Sequence, residues 1–183
     1  MVKHKNGIKI YTRTLANSDY PEFRGEMNIM ATIEELFAFI NDAEHCPVWR
    51  YKCIKMLKLS DGYIYKLSSL PWPFKNRYTV MKSKTRFDKQ NNTYTVKLKN
   101  IKQSKLPRYI QQQLPELEGT AQMRYSDGYW QFKLSPTQDS IHITYQMHGD
   151  AGVALPSELT RLGIINSAFV TLSNLKKHFI QTR

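Results

Sequence analysis

A change of hydrophobic period at Gly149-Asp150-Ala151-Gly152 constrains this chain more than any other feature. Before it, apolar and polar residues alternate. Tyr94, Val96 and Leu98 alternate with Thr93, Thr95, Lys97 and Lys99, and Trp130, Phe132 and Leu134 with Gln131 and Lys133. Ile141, Ile143, Tyr145 and Met147 alternate with His142, Thr144 and Gln146. A period of two marks strands with one buried face, as in antiparallel sheets. Turn signals at Asp61-Gly62, Gln90-Asn91-Asn92, Asp127-Gly128 and Thr137-Gln138-Asp139 predict a meander of hairpins. After the change, Leu159, Leu162, Ile165, Phe169, Leu172, Leu175 and Phe179 step by three and four, predicting a helix of about six turns. Pro156 suits its first turn, Glu158 its positive end, and Lys176, Lys177 and His178 its negative end. Its apolar stripe is too wide and regular to be left in water.

The chain opens with predicted strands over 7–14 and 23–29, joined by a turn at Asn17-Ser18-Asp19 with Pro21. Thr32 followed by Glu35 is a capping-box pattern, and Ile33, Leu36, Phe37 and Ile40 recur at helical spacing. A short helix over 33–42 follows, ended by His45-Cys46-Pro47. Two stretches escape both periods, Ser69 to Phe74 and Gln103 to Gly119. One large antiparallel sheet with one long C-terminal helix to cover it is an α+β helix-grip arrangement, a curved sheet wrapped around the helix. One helix cannot fill the concavity of roughly seven or more strands, so aromatics pack the interior or an internal hydrophobic cavity remains.

The length of 183 residues fits one domain, 1–183. No apolar run approaches the ~20 residues that cross a bilayer. No signal peptide is visible behind Met1-Val2-Lys3-His4-Lys5, so the chain as given reads as cytoplasmic, and as periplasmic or secreted where a leader has been removed; the sequence does not decide between them. Cys46 and Cys53 are too few for a disulfide scaffold or a structural zinc site. They read as two free buried thiols, with a single bridge in an oxidising compartment as the alternative. There is no Gly-x-Ser-x-Gly elbow, phosphate-cradling glycine loop or HExxH pair, so no catalysis, metal or cofactor is expected. His142 and His148 share a strand face with Thr144 and Gln146 that should be wet.

Four segments carry a family resemblance. Gly7-Ile8-Lys9-Ile10-Tyr11-Thr12-Arg13 followed by Glu22-Phe23-Arg24-Gly25-Glu26 resembles the opening of a START domain (steroidogenic-acute-regulatory-related lipid transfer). Cys46-Pro47-Val48-Trp49 is similar to that family's tryptophan turn, and Pro71-Trp72-Pro73-Phe74-Lys75-Asn76-Arg77 to its proline-tryptophan-proline and arginine signature. Thr171-Leu172-Ser173-Asn174-Leu175-Lys176-Lys177 resembles its closing helix. The order matches the bacterial-type single-domain members. Tyr78 stands where the family usually has aspartate, and Asp150-Ala151-Gly152 lacks the usual proline.

The resemblance implies a hydrophobic tunnel for one lipid or sterol-like ligand, entered between the last helix and the loop Ser68 to Asn76. It also implies a non-enzymatic, monomeric binding or transfer protein. The alternative is a helix-grip enzyme, cyclase- or hydrolase-like, acting on an aromatic or polyketide substrate. The expected ligand-binding residues are Trp49, Trp72, Phe74, Arg77, Ile165, Ala168, Phe169, Leu172 and Leu175. Trp49 reads as core or cavity wall, and Trp72 and Phe74 as membrane-touching loop tip or lid packing. Arg77 either anchors a polar group of the ligand or, the favoured reading, fixes its loop through backbone carbonyls. Ala168, small among large neighbours, suggests room left inside.

The charge is uneven. The chain carries 27 Lys and Arg against 15 Asp and Glu, a formal +12. Between Arg50 and Arg108 stand 16 basic and 2 acidic residues, or +14, which leaves 11 basic and 13 acidic elsewhere, or −2. Lys82, Lys84, Arg86, Lys97, Lys99, Lys102, Lys105 and Arg108 should lie on strand exteriors and loops. Tyr94, Val96 and Leu98 fall on the opposite face, which argues against nucleic acid, since its binders interleave basic and aromatic residues on one face. These lysines read either as a solvated surface or as a face for peripheral contact with an anionic membrane, the partner that this charge suggests.

Overall fold

The computed structural model describes residues 1–16, 18–153 and 157–181. Asn17 and Pro156, assigned above to a turn and to a first helical turn, lie outside the described residues. The strands are β1 (Lys3–Lys5), β2 (Ile8–Leu15), β3 (Ser18–Met30), β4 (Cys53–Lys58), β5 (Tyr63–Ser68), β6 (Asn76–Asp88), β7 (Thr93–Asn100), β8 (Thr120–Gln122), β9 (Tyr125–Leu134) and β10 (Ser140–Asp150). They form one sheet in the order β1-β2-β3-β10-β9-β7-β6-β5-β4, antiparallel throughout except that short β8 runs parallel to β6. The helices are α1 (Ile33–Asn41), α2 (Cys46–Trp49), α3 (Arg108–Gln111) and α4 (Ser157–Gln181).

Local chemistry accounts for most boundaries. The Thr32 side chain accepts from the Glu35 backbone N–H at 3.3 Å, and the Glu35 carboxylate accepts from the Thr32 N–H at 2.8 Å, so the capping box that starts α1 is complete. The turns at Asp61-Gly62, Gln90-Asn91-Asn92 and Thr137-Gln138-Asp139 stand where expected. Asp127-Gly128 does not turn: it lies inside β9, paired with Lys99 and Leu98 of β7 and with His148 and Met147 of β10. Flanking polar residues made a strand interior look like a bend.

The long helix covers only part of the sheet. It packs on β2, β3 and α2, and Ile165, Ala168, Leu172, Leu175 and Phe179 are buried there. Its first turns depart from expectation: Leu159 and Leu162 are 58% and 48% exposed, because the sheet does not reach under them. The stretch from Gln103 to Gly119 is not idle either. It folds α3 and a 3₁₀ turn onto the outer face of β5 and β6, where Leu106 and Ile110 meet Tyr65, Tyr78 and Val80 in a second small core. That face of the sheet is therefore dry where one wet face was expected.

His148 departs from expectation as well, being buried at the end of β10. Its Nε2 lies 2.9 Å from the Ser18 hydroxyl, 2.9 Å from the Tyr125 hydroxyl and 3.0 Å from the Tyr20 carbonyl. His142 stays exposed against Asn28.

The cysteines differ from expectation too. Cys46 and Cys53 are joined in a disulfide, not free, with Cα atoms 5.9 Å apart. Trp49 ends α2 at once, the Cys53 N–H donates to the Arg50 carbonyl at 3.2 Å, and the chain reverses into β4 with Lys52 at φ 53°. That reversal brings two cysteines seven residues apart within bridging distance. Closing so short a loop stabilises by about 2–3 kcal/mol. Reduction, or the double change Cys46→Ser and Cys53→Ser, should lower Tm by roughly 5–10 °C in a thermal melt.

Candidate ligand-binding cavity

The part of the concave face that α4 leaves uncovered holds a cavity of about 210 Å³. Its walls come from α1 (Phe37, Ile40), α2 (Trp49), β4 to β7 (Met56, Ile64, Ser83, Val96, Leu98) and β9 (Trp130, Phe132). Period two explains the strand contributors. Ser83 and Thr85 point inward from β6, with Ser83 opposite Leu98 and Thr85 opposite Val96. Trp130 and Phe132 point inward from β9, with Trp130 opposite Val96. The aromatic lining is interlocked, Phe37 edge-on to Phe132 at 5.6 Å and Trp49 edge-on to Trp130 at 6.0 Å. Thr85 and Lys58 are exposed as well as lining, which puts the open side between β4, β6 and α1.

Polar residues of α4 hold this wall from behind. The Thr171 hydroxyl accepts from the Tyr51 N–H at 3.1 Å, and the Asn174 amide donates to the Trp49 carbonyl at 3.4 Å. The segment Trp49-Arg50-Tyr51 is thus fixed at both ends, by α4 and by the disulfide.

Besides Lys58 at the open side, two basic residues of this region turn inward and are enclosed. Arg50 lines the cavity with its guanidinium 4.5 Å from the Trp49 ring and 5.9 Å from the Trp130 ring. Lys66 sits on β5 between Met56 and Thr79, its register partners, on the face that also carries Ile64. Both are deeply enclosed yet keep some accessible surface; Arg50 lines the cavity, and Lys66 lies just beyond its lining, near enough for the Arg50 charge to act on it. Burial pulls the Arg50 guanidinium below its ordinary value, opposed by Tyr145. Burial, with the neighbouring Arg50 charge, pulls the Lys66 ammonium down to about 8. Among the described residues no carboxylate lies within ion-pair distance of either.

Of the residues expected to bind ligand, the structure brings Trp49 to the cavity wall, 1% exposed. Ile165, Ala168, Leu172 and Leu175 are buried beneath α4 beside the cavity, not in its lining. Leu172 packs over Gly25 and Ile10; a Cβ on Gly25 would stand 2.5 Å from its Cδ1. Phe169 is half-buried under the Lys3 ammonium, 3.9 Å from its ring centre. Trp72 is 92% exposed at the tip of a loop with a cis Trp72-Pro73 bond, and Phe74 is half-buried beside it. Neither touches the cavity. Arg77 donates from Nε to the Ala151 carbonyl at 2.6 Å and from Nη1 to the Lys75 carbonyl at 2.7 Å, tying that loop to the segment before α4.

Arg50 and Lys66 escaped sequence reading. The available signal was parity, since Lys66 shares a strand face with Ile64. Which face looked inward could not be told before the β4–β5 register was known. The lysines of β6 and β7 lie on the strand exterior as expected, Lys84, Lys97 and Lys99 exposed and Lys82 half-buried over the Tyr63 ring. Lys82 pairs with Lys99 and Lys84 with Lys97 across β6 and β7, so like charges stand opposite one another on the outer face, back to back with the cavity wall.

No protein-family model matches the chain. Among curated proteins it is similar to an uncharacterized protein of Pseudomonas aeruginosa, 25% identical over 181 residues that cover 96% of this chain and 84% of that one. Among solved structures it is similar to a STAR-related lipid transfer protein from Xanthomonas axonopodis. That pair shares 28% identity over 98% of this chain and 97% of the other, with a TM-score of 0.80. Human StAR-related lipid transfer protein 5 superposes at a TM-score of 0.76 over 98% of this chain and 85% of its own, at 15% identity, a likeness of fold alone.

Proposed function

We propose that this chain, which folds as a START-like domain, acts over residues 1–183 as one monomeric binding unit that encloses a single hydrophobic ligand and carries it between surfaces. The observation that carries this reading is the aromatic-lined cavity of about 210 Å³ in the part of the sheet that α4 does not fill. An unfilled interior at this place forgoes dispersion contacts on every wall that a packed one would gain. The space is below the ~300 Å³ at which ligand pockets ordinarily begin, which suits one acyl chain or one compact ring system. Among the described residues the lining offers the Ser83 and Thr85 hydroxyls and Lys58 but no Asp, Glu, His, Cys or Tyr, a poor set for acid–base chemistry, and binding is favoured over catalysis.

The basic outer ladder of Lys82, Lys84, Arg86, Lys97 and Lys99 then serves docking on anionic lipid, at roughly 1 kcal/mol per residue near the surface. The exposed Trp72 suits the interfacial zone of such a surface. Uptake of a fluorescent single-chain lipid from vesicles tests the reading. Uptake should saturate at one molecule per chain, run faster from anionic than from neutral vesicles, and slow as salt screens the lysines. No uptake from either kind of vesicle would contradict it.

A further inference from the structure

Buried charges are ordinarily paired, because an uncompensated ion in a low-dielectric interior is costly. Arg50 breaks that rule. It is enclosed, borders the cavity, and has no carboxylate among the described residues within ion-pair distance. Among the described residues its Nε–H finds no acceptor, and neither do the indole N–H groups of Trp49 and Trp130, which line the same cavity. Two further buried groups on the inner face, the Thr79 hydroxyl opposite Lys66 and the Asn100 carbonyl oxygen, are equally without partners. Three orphaned N–H donors on the wall of one cavity, those of Trp49, Arg50 and Trp130, with the Lys66 ammonium close to Arg50, describe half of a binding site.

Resting on the reading of the cavity as a ligand site, we infer that the enclosed ligand is a single-chain amphiphile with an anionic head group, a carboxylate or a phosphate monoester, held by Arg50 and Lys66. The guanidinium offers a planar fork to two oxygens of either group, and the Trp49 ring beneath it keeps the fork from turning away. The segment is braced by Thr171, Asn174 and the disulfide, so the donors are in place before the ligand arrives. The tail lies along Phe37, Ile40, Val96 and Phe132. The sites that face Lys66 across the sheet, Met56 and Thr79, are neutral, and Arg50 is the charged group that acts on it. With Lys66 near 8 when empty, a bound anion raises its value. Affinity is then full below pH 8 and falls several-fold as pH rises from 8 to 9.5, because only the ligand-bound state retains the proton.

The test compares dodecanoate, dodecyl phosphate, dodecanol and dodecyltrimethylammonium at pH 7 by tryptophan fluorescence, below their micelle concentrations. Dodecanoate or dodecyl phosphate should bind at least tenfold tighter than dodecanol, and the cation should not bind. Preference between the two anions separates a fatty-acid source from a phosphate one. Arg50→Gln should bring the anions and dodecanol within threefold, and Lys66→Met should remove the loss above pH 8. Dodecanol binding as tightly as both anions overturns the head-group inference but leaves the cavity reading standing. Failure of all the single-chain probes to bind overturns the head-group inference and, with it, the acyl-chain form of the cavity reading. If Arg50→Gln fails to fold, the wild-type comparison and Lys66→Met still decide.

Discussion

With Ser83 replaced by phenylalanine, the protein should fold normally and lose at least tenfold in affinity for whichever single-chain amphiphile the wild type takes up. Ser83 faces the cavity from β6, opposite Leu98, on a strand whose backbone pairing does not depend on its side chain. A ring there meets Trp130 and Phe132 in space that is otherwise unfilled. Filling such a void stabilises a fold by about 0.5–2 kcal/mol when the ring fits. A thermal melt should therefore show an unchanged or higher Tm beside the lost affinity. This separation matters, since most changes that abolish binding do so by unfolding. A Ser83→Phe protein that folds and still binds at full strength would mean that the ligand lies elsewhere.

Leu172→Ala should give the largest loss of stability of any single change considered, about 2–5 kcal/mol. Leu172 is fully buried where α4 crosses β2 and β3, packed so closely over Gly25 that a methyl group there would collide with it. Removing its isobutyl group opens a void between helix and sheet that two rigid elements cannot close. Gly25→Ala should cost about 1–3 kcal/mol for the opposite reason, overpacking. The two changes touch, so they should not add: the new methyl partly fills the space the leucine leaves. Chemical denaturation of the two single variants and the double variant reads this directly. Full additivity would show that Leu172 and Gly25 do not meet. Because Thr171 and Asn174 brace Trp49 and Tyr51, the Leu172→Ala protein should also bind ligand more weakly than its remaining folded fraction explains.

The fold was legible in the sequence because its evidence is local. Alternation along 93–99, 130–134 and 141–147 reports a buried face without reference to any partner strand, and Thr32 with Glu35 writes the start of α1 in four residues. The C-terminal helix was equally plain, although the periodicity that revealed it says nothing of how far the sheet extends. Hence Leu159 and Leu162 looked buried and are not. His148 looked wet because parity ignores the cover supplied from 130 residues away by Ser18.

The site depends on such distant pairings throughout. Cys46 and Cys53 meet only because the chain turns at Arg50, and Lys66 faces inward only because the β4–β5 register, which shifts between Cys53 and Lys55, sets it opposite Met56. The segment most conspicuous in the sequence, Pro71 to Arg77, proves to be a loop held by Arg77 on backbone carbonyls, with Trp72 in solvent. Charge was misleading in a different way. The outward lysines of β6 and β7 dominate the sequence, while two of the 16 basic residues between Arg50 and Arg108 are enclosed, Arg50 in the cavity wall and Lys66 near it.

Native mass spectrometry of the purified chain, followed by organic extraction, tests the central claim most directly. The account predicts a one-to-one adduct, either carried through purification or formed on lipid challenge, that extraction releases as a single-chain amphiphile. A mass that stays at that of the bare chain after challenge with both anionic and neutral lipids would contradict it.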